Sequence, residues 1–143
     1  MAITQAMATS FKVQLLNGQH NFSANTFKLA LYTSSATINE NTTAYSSTNE
    51  VASTGNYSAG GNTLSVSVTP TNSGNVAYIS FSNTSWANAT ITANGALIYN
   101  ANLANAAVAV LAFGGDKTST NGTFAVNFPT ADASNAIIRL TAS

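Results

Sequence analysis

Apolar and polar side chains alternate with a period of two along much of this chain, and this pattern constrains its fold most strongly. The alternation is cleanest over residues 63–69, where Leu64, Val66 and Val68 are separated by Ser and the segment is flanked by Thr. Because successive side chains of a β-strand point to opposite faces, such segments are typical of strands with one buried face. Asn, Gly, Ser and Pro separate these segments and predict turns between short antiparallel strands.

The first half of the pattern predicts a central strand and a hairpin. Residues 27–32 are expected to form a half-buried strand. The strand at 63–69 should end at Pro70, which lacks the N–H that a sheet ladder needs. It should then form a hairpin with residues 76–81 through a turn at 72–74.

The second half of the pattern predicts a second hairpin and a buried strand. Asn94-Gly95 is typical of a two-residue hairpin turn, with strands at 89–92 and 96–99. Residues 106–113 are apolar throughout, which favours a central strand covered on both faces. Gly114-Gly115 and Asn121-Gly122 should bracket a loop, and residues 136–140 should form the last strand.

These segments together predict an all-β fold, an antiparallel β-sandwich or jelly roll of about eight strands. We expect residues 23–143 to form a single β-sandwich domain, because no linker or change in composition divides them.

Residues 1–22 are expected to form a separate N-terminal helix or arm. Met7, Phe11 and Leu15 are spaced as on one face of a helix, with Thr9 or Ser10 as its N-cap and Asn17-Gly18 as its end. A strand is the alternative, because Phe11, Val13 and Leu15 also alternate with polar residues. The segment either packs on the body of the protein or docks on a neighbouring subunit.

Residues 33–62 are rich in Ser, Thr, Asn and Gly and are long for a structureless loop in a compact domain. They therefore form either a functional excursion or a loop with a short strand around 45–51. Met7, Phe11 and Leu15 from the N-terminal segment, with Tyr45 and Tyr57 from this one, are the candidate interface residues.

Charge is scarce in this chain, which has four Lys or Arg and four Asp or Glu among 143 residues, whereas about a quarter of residues are charged in typical proteins. Four scattered cations cannot line a groove for nucleic acid, so we expect no nucleic-acid partner. The longest apolar run, 106–113, is too short to cross a membrane. The N-terminus does not resemble a signal peptide, which predicts synthesis in a cytoplasm.

Residues that could support catalysis or ligate a metal are few. His20 is the single imidazole and there is no cysteine, so we expect His20 on the surface or in a turn. Asp116 and Lys117 should form a solvated pair, while Asp132 and Asn135 should cap the turn before the last strand. We therefore expect neither an enzyme, nor a metal site, nor a cofactor.

Aromatic residues offer a second functional hypothesis. Trp86, Tyr78 and Tyr99 could form a stacking platform for a glycan, although the same residues also fit the core of a β-sandwich.

Low charge also favours assembly with other chains. Exposed strand edges are usually protected by Lys or by other charged side chains, which this chain has in small number. Near-zero net charge promotes association, so we expect a subunit of a larger particle.

Several segments resemble small virion structural proteins of tailed bacteriophages, a capsid decoration or cement-like family. In chain order, they are Met7-Ala8-Thr9-Ser10-Phe11-Lys12, Leu15-Leu16 with Gly18, His20 and Phe22, residues 26–37, Tyr57-Ser58-Ala59-Gly60-Gly61, Gly95-Ala96-Leu97-Ile98-Tyr99-Asn100, residues 107–117 and residues 128–139.

The resemblance implies a capsid decoration protein that binds the outside of the shell and stabilises it. It also implies the major capsid protein or other virion subunits as partners, a homo-oligomer, often a trimer, and a location in the virion. The alternatives are a glycan- or host-binding module of a head or tail fibre, and a tail or connector subunit.

Overall fold

The computed structural model describes residues 2–141 and has eight strands and one short helix. The all-β prediction with a short N-terminal helix is therefore confirmed. In chain order, the elements are β1 (Ala6–Met7), α1 (Thr9–Leu16), β2 (Phe27–Tyr32), β3 (Asn62–Leu64), β4 (Val66–Ser73), β5 (Val76–Phe81), β6 (Thr84–Asn100), β7 (Ala106–Val126) and β8 (Ile138–Thr141).

The strands form two antiparallel sheets. The larger sheet has the order β1-β7-β6-β2-β3, and the smaller sheet has the order β4-β5-β8. The chain passes from one sheet to the other at Ser65, between β3 and β4. The predicted single strand at 63–69 is therefore divided between the two sheets. The predicted hairpin with residues 76–81 is confirmed by the antiparallel pairing of β4 and β5.

Pro70 lies inside β4 and does not end it, so that prediction was wrong. The pairing of β4 with β5 shifts register between Val68 and Thr71, and β4 is an edge strand. A proline fits at such an irregularity because no ladder hydrogen bond requires its missing N–H.

Strand β2 is buried on both faces apart from the partly exposed Lys28, so the half-buried prediction was wrong. On one face, the ring of Phe27 stacks on Phe22 with centroids 4.5 Å apart. Tyr32, whose hydroxyl bonds the backbone of Ser46 in the 33–61 segment, is also buried. A second covering layer explains the burial, which alternation in β2 alone could not reveal.

Strands β6 and β7 form one long hairpin, and Asn94-Gly95 lies inside β6 rather than at its turn. Ala93 pairs with Lys117 and Gly95 pairs with Ala112, so residues 113–116 bulge opposite Asn94. Within the bulge, Gly114 and Gly115 have φ values of +76° and +148°.

The predicted hairpin turn at Asn94-Gly95 and the predicted loop between Gly114 and Gly122 are therefore both wrong. Asn121-Gly122 also lies within β7. These glycine-containing pairs lie at irregularities in the pairing of β6 with β7. Glycine suits such irregularities as well as turns.

Helix α1 begins after Ala8, which makes no side-chain cap hydrogen bond, and ends at Asn17. The predicted caps at Thr9 or Ser10 were wrong, whereas the predicted end at Asn17-Gly18 is confirmed. Met7 belongs to β1 and pairs with Ala109 of β7. The side chain of Phe11 is fully buried, which fixes the helix against its own chain.

Aromatic rings join the two sheets. Phe27 of β2 and Phe81 of β5 have ring centroids 5.9 Å apart, and Phe22 and Phe128 also contact Phe81. The accessible surface is 7011 Å², against about 6,900 Å² expected for a compact monomer of this mass. The protein thus buries as much of its surface as an ordinary globular domain.

Candidate interaction surface

Residues 33–61, called the excursion from here on, form a covering layer over the larger sheet. Single bridges join Tyr32 to Glu50, Ala44 to Ala106 and Thr54 to Tyr57. The predicted short strand around 45–51 does not form, because this segment makes isolated bridges in place of a continuous ladder. The excursion is nevertheless attached to the body by specific hydrogen bonds.

Glu50 is the central anchor of the excursion. Its Oε1 accepts hydrogen bonds from the backbone N–H of Gly60 at 2.7 Å and from the Tyr57 hydroxyl at 3.2 Å. Its Oε2 accepts one from the Tyr45 hydroxyl at 3.0 Å. The Tyr57 oxygen in turn accepts a bond from the backbone N–H of Leu31 in β2. One carboxylate therefore joins both halves of the excursion, and Tyr57 links them to the sheet.

Two more tyrosines complete this anchor. The Tyr99 hydroxyl donates to the Gly60 carbonyl at 2.6 Å, and the Tyr99 ring stacks on Tyr45 with centroids 4.7 Å apart. The Tyr32 hydroxyl donates to the Ser46 carbonyl at 2.6 Å. Four of the five tyrosines thus hold the excursion in place.

Burial, reinforced by the negative charge of Glu50, raises the pKa of the Tyr45 and Tyr99 hydroxyls to about 12. Burial raises the pKa of Tyr32 and Tyr57 as well. All four hydroxyls therefore remain protonated donors at physiological pH.

The outer part of the excursion contains a polar cleft of about 470 Å³. Its lining includes Asn39, Asn41, Thr43 and Thr48, and no lining residue is charged. Several of these groups already bond one another, as when Asn39 Oδ1 accepts from the Asn41 backbone N–H. The cleft thus presents hydroxyl and amide groups on a preformed surface.

The five candidate interface residues lie in different environments. Phe11 and Tyr57 are fully buried in the chain's own core, which removes them from any interface with another molecule. Met7, Leu15 and Tyr45 are partly exposed and pack at the margin of the core.

The predicted glycan platform does not form. Trp86 and Tyr99 are buried, and the Trp86 ring packs on Tyr57 and Phe124. Tyr78 is partly exposed on β5. The sandwich core, the competing interpretation, accounts for Trp86 and Tyr99, because a side chain without exposed surface cannot stack on a sugar.

His20 is buried, so the prediction of a surface or turn histidine was wrong. One ring nitrogen lies 2.8 Å from Gln14 Oε1, and the other lies 3.1 Å from Asn100 Nδ2. Phe11 packs edge-on at 4.8 Å. Burial lowers the pKa of His20 below its ordinary value of 6.5. Because both ring nitrogens lie within hydrogen-bond distance of a side-chain partner, we assign His20 a structural role in the core.

The two predicted aspartate sites are turn and strand features. Asp132 Oδ1 accepts from the backbone N–H groups of Ser134 and Asn135, which confirms the cap before β8. The bond from the Asn135 side chain and the backbone bond from Ser134 lower the pKa of Asp132. Asp116 is exposed and accepts a bond from Asn94 Nδ2 at 3.0 Å.

Among residues 2–141, no group of three or more His, Cys, Asp or Glu could hold a metal ion. No helix in the described part of the chain is long and apolar enough to cross a membrane.

An apolar cleft of about 300 Å³ separates the end of α1 from the smaller sheet, and sequence reasoning missed it. Leu15 lines one wall, and Ile79, Ile138 and Leu140 line the other. Leu16, at the end of α1, is 89% exposed, and Leu140 is 47% exposed. The adjacent Leu15-Leu16 pair was an available signal, because a short helix packing on one face cannot bury both.

In comparisons with known proteins, no family model, curated protein or solved structure matches this chain.

Proposed function

We propose that this chain is a structural protein of a tailed-bacteriophage virion, a decoration protein that binds the outer surface of the capsid. The supporting sequence feature is the resemblance to small virion proteins, which extends over almost the whole chain. By this proposal, the protein acts by binding and has no catalytic role.

The observation that carries the proposal is the anchored excursion with its uncharged cleft. Glu50 and four tyrosines hold it against the larger sheet, so little chain entropy is lost when it meets a partner. Its cleft offers Asn and Thr side chains and no charge. Burying short neutral groups avoids the desolvation cost of burying ions.

Binding of this kind stabilises a shell by mass action. A protein that binds assembled, expanded shells and not free shell subunits lowers the free energy of the assembled state. The proposed partner is the major capsid protein, at the surface that it exposes after assembly.

The test is co-sedimentation of the purified chain with expanded shells of the phage that encodes it. We expect saturable binding of the natural chain and at least tenfold weaker binding of Thr48→Glu, which places a charge at the cleft. Thr120→Glu adds the same charge on the exposed side of β7 and should bind normally. Absence of binding by the natural chain, or equal binding by both variants, contradicts the proposal.

Copy number in purified virions, measured by quantitative mass spectrometry, separates this proposal from a tail or connector role. A decoration protein should be present in numbers comparable to those of the shell protein. A copy number as low as that of tail components would contradict the capsid proposal and favour the tail alternative.

A further inference from the structure

The apolar cleft continues onto an unprotected sheet edge. Ala77 pairs with Leu140, and Ile79 pairs with Ile138, so these four side chains share the cleft-facing side of the smaller sheet. They are called the β8 face. Leu140 is one of the three large apolar residues that are well exposed in the described part of the chain.

Strand β8 is the edge of its sheet. It pairs with β5 on one side, and within residues 2–141 no strand pairs with its other side. Its outer backbone N–H and C=O groups are therefore available to another strand. Edges of this kind are usually blocked by a bulge, a proline or an inward-pointing charge, and the register of β8 with β5 is regular over all four pairs.

The β8 face carries no charged side chain. No residue that lines the cleft is an acid or a base other than His20, whose pKa is lowered by burial. Arg139 lies on β8, but it pairs with Tyr78 and so points to the opposite side of the sheet from Leu140. Its guanidinium is held by the carbonyls of Ser134 and Ala136.

We infer that the β8 face binds a second copy of this chain, with the two β8 strands pairing antiparallel about a two-fold axis. A partner rich in charge would lose hydration at this face and gain no counter-charge, whereas a second copy presents the same neutral surface. Two-fold contacts require one patch to be complementary to itself. Here Leu140 both lines the cleft and is exposed, so it can meet Leu140 of the second copy.

The register of the pairing follows from the side-chain pattern. Residues directly opposite each other on antiparallel strands point to the same face. Pairing Leu140 with Leu140 of the second copy therefore continues the apolar face across a six-stranded sheet. Shifting the register by one residue would set Arg139 against Leu140 on one face.

The association is tested on the purified chain without any capsid. The outcome of this test therefore does not depend on the proposed function. Sedimentation velocity should give twice the 14.6 kDa mass of one chain. Leu140→Glu should weaken association at least tenfold, because it places a charge on the neutral face of each copy. Ala125→Glu adds the same charge to an exposed position of β7 in the other sheet and should leave the mass unchanged.

A second measurement locates the two-fold axis even if Leu140→Glu fails to fold. The chain has no cysteine, so Leu140→Cys introduces a single thiol. Opposite residues of an antiparallel pair have Cα atoms about 4.5–5.5 Å apart, within the range that a disulfide spans. Mild oxidation should give a covalent dimer, whereas Ala125→Cys should remain mostly monomeric.

Three results would overturn the inference. They are a monomer at high concentration, a trimer such as the resemblance implies, and disulfide formation that is no faster in Leu140→Cys than in Ala125→Cys.

Discussion

At the scale of single residues, His20 is the group that couples this fold to pH. It is the one imidazole of the chain, it lies against Phe11, and its two nitrogens face Gln14 and Asn100. A protonated ring would lose hydration in this site and would face the amide donor of Asn100 with another N–H group. The folded state therefore favours the neutral ring, which agrees with the lowered pKa.

We predict that stability falls as the pH drops through about 6.5, the ordinary pKa of histidine. The pKa of His20 is lowered in the folded state, so between that lowered pKa and about 6.5 the unfolded chain binds more protons than the folded one. Stability therefore rises with pH across this window and is lost on acidification. Urea unfolding at several pH values measures the slope, which corresponds to at most one proton.

The matched variant is His20→Gln, which keeps a polar side chain that does not titrate. Without the imidazole, the variant should show a clearly shallower dependence of stability on pH in this window than the natural chain. An equal slope in both proteins would assign the dependence to another group.

At the scale of elements, Gly95 holds the two longest strands together at the bulge. A Cβ at this position would lie 2.5 Å from the carbonyl oxygen of Leu111 and 2.7 Å from Cγ2 of Ile3. The absent side chain thus permits the close approach of β6, β7 and the N-terminal segment. The same position that indicates a turn by its Asn-Gly sequence is needed here for packing.

We predict that Gly95→Ala destabilises the protein by about 1–3 kcal/mol, the usual cost of overpacking a core. The control is Gly122→Ala in β7, where an added Cβ meets its nearest atom, the Thr120 carbonyl oxygen, at an ordinary 3.5 Å. This control should be neutral or stabilising by less than about 1 kcal/mol. Equal free energies of unfolding for the two variants would show that the backbone relaxes at Gly95 without cost.

The alternation of apolar and polar residues predicted strands well where one face of the strand is buried and a short turn connects it to the next strand. The hairpin of β4 and β5 and the last strand, β8, follow from such patterns. The predictions at Asn94-Gly95 and Gly114-Gly115 were wrong because glycine suits both a turn and a bulge. The choice between them depends on a partner strand far along the chain, which no short window of sequence contains.

The candidate surfaces were harder to predict than the strands. The groups that donate hydrogen bonds to the Glu50 carboxylate come from positions 45, 57 and 60, in a segment without periodicity. The apolar cleft is formed by α1 and the smaller sheet, whose relative placement depends on the aromatic contacts of Phe81. Such sites arise from tertiary packing, and residue type alone gives little indication of them.

At the scale of the whole molecule, the scarcity of charge distinguishes this chain from most globular domains. It has eight acidic or basic residues and zero formal net charge. Its polar cleft and its apolar cleft are both free of Asp, Glu, Lys and Arg. Long-range electrostatic steering therefore contributes little to any association of this protein.

We predict that the affinity for expanded capsid shells changes less than about twofold between 50 mM and 500 mM NaCl. Salt weakens contacts between exposed charges because the screening length shortens to a few ångströms, and no charged side chain lines the proposed cleft. Burial of apolar and neutral polar groups is far less sensitive to simple salts. Co-sedimentation at increasing NaCl concentration measures the dependence directly.

The Thr48→Glu variant supplies the comparison for this prediction. Its added carboxylate introduces one charge into the contact, so whatever binding it retains should depend on salt more steeply than binding of the natural chain. A steep loss of affinity of the natural chain with salt would mean that charged side chains, acidic or basic, make the contact. In that case, the binding surface would extend beyond the uncharged cleft of the excursion.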